Sequence, residues 1–207
     1  MLTARRHKCM RTESHSVRIV PDDWIAPLNL GQYFDERPLH VDVGCGKGRF
    51  LLARAAAHPE CNFLGIDRML RRIRKVDNKV QRKQLDNVRL FRMDAFYATA
   101  FLLPTESVAA YYIFFPDPWP KKRHHAHRVF NNEFIDALFR TLKPGGEMHF
   151  ATDHLPYFEE VLAALRADGR FEELPAFEPE DAEKTDFEMY YIQHVPIGRC
   201  SFRKPAL

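Results

Sequence analysis

Along the chain, the spacing of apolar residues switches repeatedly between continuous runs and a helical repeat. LHVDVGCGKGRFLLARAAAHP (39–59) opens with a short apolar run, breaks at Gly44, Gly46 and Gly48, and continues rich in Ala and Leu. That pattern predicts a buried strand, a glycine turn and a helix. NFLGID (62–67) predicts a second strand, followed by Met69, Ile73, Val76 and Val80 on the stripe of an amphipathic helix. NVRLFRMDA (87–95) and VAAYYIFF (108–115) predict a third and a fourth strand. Phe130, Phe134, Leu138 and Leu142 mark a helix over 130–142, which KPGG stops before the strand EMHFAT (147–152). A further helix is expected over 156–167, then an acidic, proline-containing loop LPAFEPEDAEK (174–184), then a last edge strand in IGRCSFRK (197–204). Such alternation of strand and helix predicts an open parallel sheet with helices on both faces.

Pro38 divides an irregular arm, 1–37, from one domain, 38–207, and a chain of 207 residues with 45% apolar composition is long enough to bury one substantial core. The net charge of +3 does not by itself argue for nucleic acid, but its distribution changes the picture. Ten Lys/Arg stand against two acids over 68–92, and eleven Asp/Glu against three bases over 157–188, so the molecule should have a basic side. Cys9, Cys45, Cys61 and Cys200 show no paired spacing and read as reduced thiols. The N-terminal stretch is cationic but lacks a following apolar region, and no run approaches membrane-spanning length; a cytoplasmic protein with no membrane partner is expected.

Gly44, Gly46 and Gly48 directly follow the first strand, where absent side chains let a ligand approach the backbone. A dinucleotide fingerprint would place its third Gly where this chain has Arg49, and Asp42 just before the glycines would repel a pyrophosphate. Asp67 closes the second strand at the spacing where an acid meets ribose hydroxyls, and Asp94 ends the third, within reach of an adenine amino group. Acids at three strand ends suit adenosine carrying a positive charge, and S-adenosylmethionine fits that description. The competing reading makes the glycines a tight turn, Asp67 and Asp94 helix caps, and Cys45 a small packing residue.

FFPDPWP (114–120) follows the fourth strand. Pro116, Pro118 and Pro120 stiffen it, so that Asp117 can be held where a base edge would sit. Trp119 either stacks on that base or fills the core beneath it. Lys121, Lys122, Arg123 and Arg128, with His124, His125 and His127, form a cationic ramp suited to a phosphate backbone. No carboxylate or Cys completes a metal-ligand spacing with these histidines, so no metal is expected. The basic helix over 68–83 is either a solvated face or a ridge turned toward RNA.

VDVGCGKG, FLGID, MDA, FFPDPWPKKRH, ATD and TDFE stand in the order and spacing of tRNA (guanine-N7)-methyltransferases, and the chain resembles that family from about residue 39 to 188. The resemblance implies an α/β, doubly wound, mostly parallel seven-stranded sheet with helices on both faces, the Rossmann-like fold of class I methyltransferases. It implies S-adenosylmethionine as methyl donor and N7 of a guanine in the variable loop of tRNA as acceptor. It further implies cofactor contacts from Asp42, Asp67 and Asp94 around the glycine turn, a catalytic Asp117 close to the cofactor, and substrate contacts from Lys121, Asp153 and the segment Thr185 to Glu188. Asp42 stands where the family more often has Glu, and after Glu188 a Gly/Arg-rich stretch gives way to MYYIQHVPIGRCSFRKP. Two other readings stand beside this one. DPW partly resembles the (D/N)PP(Y/F/W) loop of enzymes that methylate amino groups of adenine or protein glutamine, and the domain could instead bind RNA without catalysis. The choice of tRNA and the oligomeric state stay open.

Overall fold

The computed structural model describes residues 16–121, 123, 128–191 and 194–206. The N-terminal cationic stretch with Cys9, and Lys122, His124, His125 and His127 of the expected ramp, lie outside these residues. In chain order the elements are β1 (Arg18–Ile19), β2 (Leu39–Val43), α1 (Arg49–Ala57), β3 (Asn62–Ile66), α2 (Leu70–Lys83), β4 (Val88–Phe91) and α3 (Ala95–Tyr97), which runs on into a π-helical turn, Ala98–Leu102. β5 (Val108–Phe114), α4 (Asn132–Thr141), β6 (Leu142–Thr152), α5 (Leu155–Asp168), β7 (Glu172–Leu174), α6 (Asp186–Tyr191) and β8 (Gly198–Arg203) complete them.

The strands form one sheet in the order β1-β4-β3-β2-β5-β6-β8-β7. β2 pairs in parallel with both β3 and β5, so the winding reverses beside it, which is where open α/β sheets form their ligand crevice. Seven strands make the expected sheet, and the two-residue β1 adds an eighth by pairing with β4. One placement is corrected. The strand read in 197–204 as an edge is β8, inserted antiparallel between β6 and the short β7, and β7 is the edge.

The two faces follow from the apolar periodicity. On one, Phe63, Val88 and Leu90 of the sheet pack against Leu51, Leu52 and Ala55 of α1 and Ile73, Val76 and Val80 of α2. On the other, Val41, Val43, Ile66 and Ile113 meet Phe134 and Leu138 of α4 and Val161 and Leu165 of α5. Met69 does not join the α2 stripe: it is the extended N-cap of that helix and half exposed, because the chain still has to turn out of β3 there. α4 starts at Asn131, whose Oδ1 accepts the Phe134 N–H at 2.8 Å, and this cap sets the boundary two residues later than the hydrophobic stripe implied. The acidic loop over 174–184 is pinned by Glu183, which accepts from Arg54 Nη1 at 3.1 Å, while Arg54 lies 5.2 Å over the Phe177 ring. Beneath them His40 Nδ1 stands 3.1 Å from the Tyr112 hydroxyl and His149 Nδ1 stands 2.8 Å from Ser201 Oγ. Burial drives these imidazoles down to about 4 and about 3, which keeps both neutral at physiological pH.

The glycine turn depends on Gly48. It has φ of +77°, and a Cβ there would stand 2.8 Å from Cγ1 of Val76, a β-branched side chain with no exposure. Neither the backbone nor Val76 can give way. Gly48→Ala is therefore expected to lower stability by about 2–4 kcal/mol, measured by urea unfolding.

Candidate active site

A cleft of about 680 Å³ opens at the C-terminal ends of the central parallel strands. Gly44 after β2, Asp67 after β3, Asp94 after β4 and Asp117 after β5 all line it, so four residues from distant parts of the chain share one cavity. Met69, Phe96 and Trp119 supply apolar wall. Arg68 and Arg72, from the basic stretch over 68–83, also reach it, as does Asn131, which no sequence motif marks.

The glycine turn is not an anion cradle. Gly44 and Cys45 N–H both donate to the Ile66 carbonyl, at 2.8 and 2.9 Å; Gly46 N–H donates to Asp67 Oδ2 at 3.2 Å, and Gly48 N–H to the Cys45 carbonyl at 2.8 Å. These donors are used by the end of β3 and by the turn itself, which leaves little for a phosphate. Gly44, at φ of +79°, has open space where a side chain would be, so the floor of the cleft can accept a ligand in close contact with the backbone.

Asp67 is buried, and Oδ1 accepts the Met69 N–H at 2.7 Å while Oδ2 accepts from Arg72 Nη1 at 3.2 Å. Asp94 Oδ1 accepts the Tyr97 N–H at 3.1 Å and the residue is otherwise exposed to the cleft. The cap and the ligand readings of these acids are thus compatible: local bonds orient each carboxylate while it remains part of the cleft wall. Asp42 differs. It does not line the cleft but is buried with only 5% exposure, and burial together with the nearby Asp67 charge pushes its carboxyl up to about 8. A cationic ligand group above it would relieve that penalty.

The PDPW loop is strained on both sides of its acid. Phe115 and Trp119 have φ of 52° and 42°, left-handed values that cost a bulky residue on the order of 1–3 kcal/mol each. The strain is held by specific bonds. Phe115 N–H donates to the Ala151 carbonyl at 2.8 Å, and Arg128 Nε to the Pro118 carbonyl at 2.7 Å. Arg128 also pairs with Glu160 of α5 and lies 4.6 Å over the Tyr157 ring. Arg128 is therefore a buried clamp on the loop and not part of a phosphate-facing ramp, because its guanidinium is turned inward by these partners. Lys121 and Arg123 are exposed beside the loop, Asp117 is exposed within it, and Trp119 is half-buried at the cleft wall.

The remaining expected substrate residues lie off the cleft lining. Asp153 is half-buried just past β6. Thr185 and Glu188 form a capping box: Thr185 N–H donates to Glu188 Oε2 at 2.8 Å and Glu188 N–H to Thr185 Oγ1 at 3.1 Å. Glu188 is buried against Arg199 of β8, so its carboxylate is engaged within the fold. α6 nevertheless touches the site, since the Phe187 ring lies 5.4 Å from that of Phe115. Among the described residues Cys45, Cys61 and Cys200 are free and buried, no cluster of His, Cys, Asp and Glu could hold a metal ion, and no helix is long and apolar enough to cross a membrane.

A doubly wound sheet with its glycine turn and strand-end acids around the switch point has the architecture of the class I methyltransferases. Among solved structures, 16S rRNA methyltransferase KamB superposes with a TM-score of 0.60 at 16% identity, over 85% of this chain and 91% of that one. Residues 36–192 match the family described as "Putative methyltransferase", and the chain belongs to that family. The tRNA (guanine-N(7)-)-methyltransferase of Syntrophotalea carbinolica is 41% identical over 68% of this chain and 61% of its own length. The protein of the same description from Nitrosococcus oceani is 40% identical over 72% and 63%. The chain thus spans less than two thirds of the length of these relatives.

Proposed function

We propose that the protein transfers a methyl group from S-adenosylmethionine to N7 of a guanine in tRNA, in the variable loop that the sequence resemblance implies. The observation that carries the reading is Asp117, held on a strained, clamped loop and lining the same cleft as Asp67 and Asp94. The likeness to proteins described as tRNA (guanine-N(7)-)-methyltransferases supports the choice of acceptor.

The site fits this cofactor on its own chemistry: a turn whose amides are used internally, open space over Gly44, and a carboxyl at Asp42 that favours a cationic neighbour. Bound S-adenosylmethionine supplies an electrophilic methyl on a sulfonium. Asp67 would hold the ribose hydroxyls and Asp94 the adenine amino group, leaving the Asp117 side of the cleft for the base. Guanine N7 carries a lone pair outside the aromatic sextet, so no general base is required. Asp117 can accept hydrogen bonds from guanine N1–H and the N2 amine, groups that become more acidic as positive charge arrives on the ring. Its contribution is then positioning plus electrostatic stabilisation. Lys121, exposed beside the loop, would meet the polyanion.

The test is incubation of the purified chain with unmodified bulk tRNA and methyl-labelled S-adenosylmethionine, followed by nucleoside analysis. Label in 7-methylguanosine is expected. Label in N6-methyladenosine would move the assignment to amino-group transfer, and tRNA binding without any label would make the chain a non-catalytic RNA-binding subunit.

A further inference from the structure

Three aromatic rings run outward from the cleft, and a fourth stands exposed at the end of α6. Phe115 lines it, Phe187 stands 5.4 Å from Phe115, and Tyr191 stands 5.6 Å from Phe187 at an interplanar angle of 31°. Tyr190 lies next to Tyr191 in α6. The exposure grows along this path: Phe187 is 39% exposed, Tyr191 68% and Tyr190 69%. Large aromatic residues this accessible gain nothing for the core, whereas α6 that carries them is anchored firmly, by the Thr185–Glu188 capping box at its start and by the pairing of buried Glu188 with Arg199. A rigid base under two exposed rings is what a stacking surface requires.

We infer that Tyr190 and Tyr191 form a stacking platform for unpaired bases of the RNA that enters the cleft, next to the base presented to Asp117. The inference rests on the tRNA reading above. The occupant follows from the surroundings. Phe115, at the inner end of the path, lines the same cavity as Asp117, so the exposed rings continue directly from the cleft that would receive the target base, and flat aromatic faces suit the unpaired bases beside it. Base-specific hydrogen bonding is not needed for such contacts, so the platform would hold loop nucleotides with little regard to their identity.

The test is binding of unmodified bulk tRNA to the full chain and to Tyr190→Ala/Tyr191→Ala, across a salt series, with S-adenosylmethionine affinity measured in parallel. The double variant is expected to bind tRNA at least tenfold more weakly, with an unchanged slope of log affinity against log salt, since no cation is lost, and with unchanged cofactor affinity. Tyr190→Phe/Tyr191→Phe should restore binding, because the ring and not the hydroxyl makes the contact. Unaltered tRNA affinity in the Ala variant overturns the platform, as does failure of the Phe variant to restore it. A dimer of the wild-type chain that the Ala variant dissociates would assign the surface to a second copy and also overturn it. If wild-type protein neither binds nor methylates tRNA, the functional reading itself fails, an outcome separate from a platform variant that behaves like wild type.

Discussion

Asp117→Asn should lower single-turnover methylation at saturating S-adenosylmethionine by on the order of a hundredfold while tRNA binding stays within a few-fold of wild type. The substitution preserves the size and shape of the side chain, and the loop around it is held by groups that the change does not touch: the Phe115 N–H on Ala151, and Arg128 on Pro118, Glu160 and Tyr157. Only the negative charge disappears. A methyl moving from sulfonium to purine carries positive charge toward Asp117, so the loss falls on the transition state and little on ground-state binding. Near-normal single-turnover rates at saturation would leave Asp117 a structural loop residue. Because Asp117 lines the same cleft as Asp67 and Asp94, saturation has to be shown separately for the variant.

Asp42→Asn should have a large effect of another kind, visible in the pH dependence of stability and of cofactor binding. In the unliganded protein the Asp42 carboxyl is raised from 3.8 to about 8. A raised carboxyl holds its proton in the folded state and releases it on unfolding, so its stabilisation is complete below pH about 4 and is lost as pH rises through about 8. Wild type should therefore weaken relative to Asp42→Asn across that window, by up to about 3–5 kcal/mol at its alkaline end. A cationic ligand acts in the opposite direction by favouring the carboxylate. Binding of S-adenosylmethionine near pH 7 should release a proton, and affinity should climb with pH until about 8. Calorimetry in two buffers of different ionisation enthalpy reads that proton directly; equal heats in both buffers would sink the role of Asp42. The Asn variant should bind more weakly and with no such pH dependence.

Much of the fold was legible because each central strand and its following helix carries its own local period, and each is bounded by glycine, proline or a cap. The cleft acids were legible for a related reason: a parallel sheet brings successive strand ends to one edge, so Asp67, Asp94 and Asp117 had to converge once the alternation was recognised. What was not legible depended on long-range pairing. Nothing local in 197–204 tells a central antiparallel strand from an edge strand. In a run of Lys, Arg and His the spacing cannot distinguish Arg128, which turns inward onto α5, from Lys121, which faces solvent. Likewise α3 and the π-helical turn are together too short to display a helical repeat. The aromatic path through Phe115, Phe187 and Tyr191 joins residues more than seventy positions apart, and only the fold makes them neighbours.

The place of β8 bears on how the molecule is made. A ribosome delivers β6, then β7, then β8, yet β8 lies between the other two and, among the described residues, is the only strand paired with β7. Until residues 198–203 emerge, β7 has no backbone partner and the outer edge of β6 stays open, even though the loop bearing Asp117 and the whole parallel half of the sheet have already been synthesised. An open strand edge is a template for pairing with another chain. A chain in which β8 has not yet docked should thus be a nearly assembled, sticky intermediate, with β7 and the outer edge of β6 both unpaired.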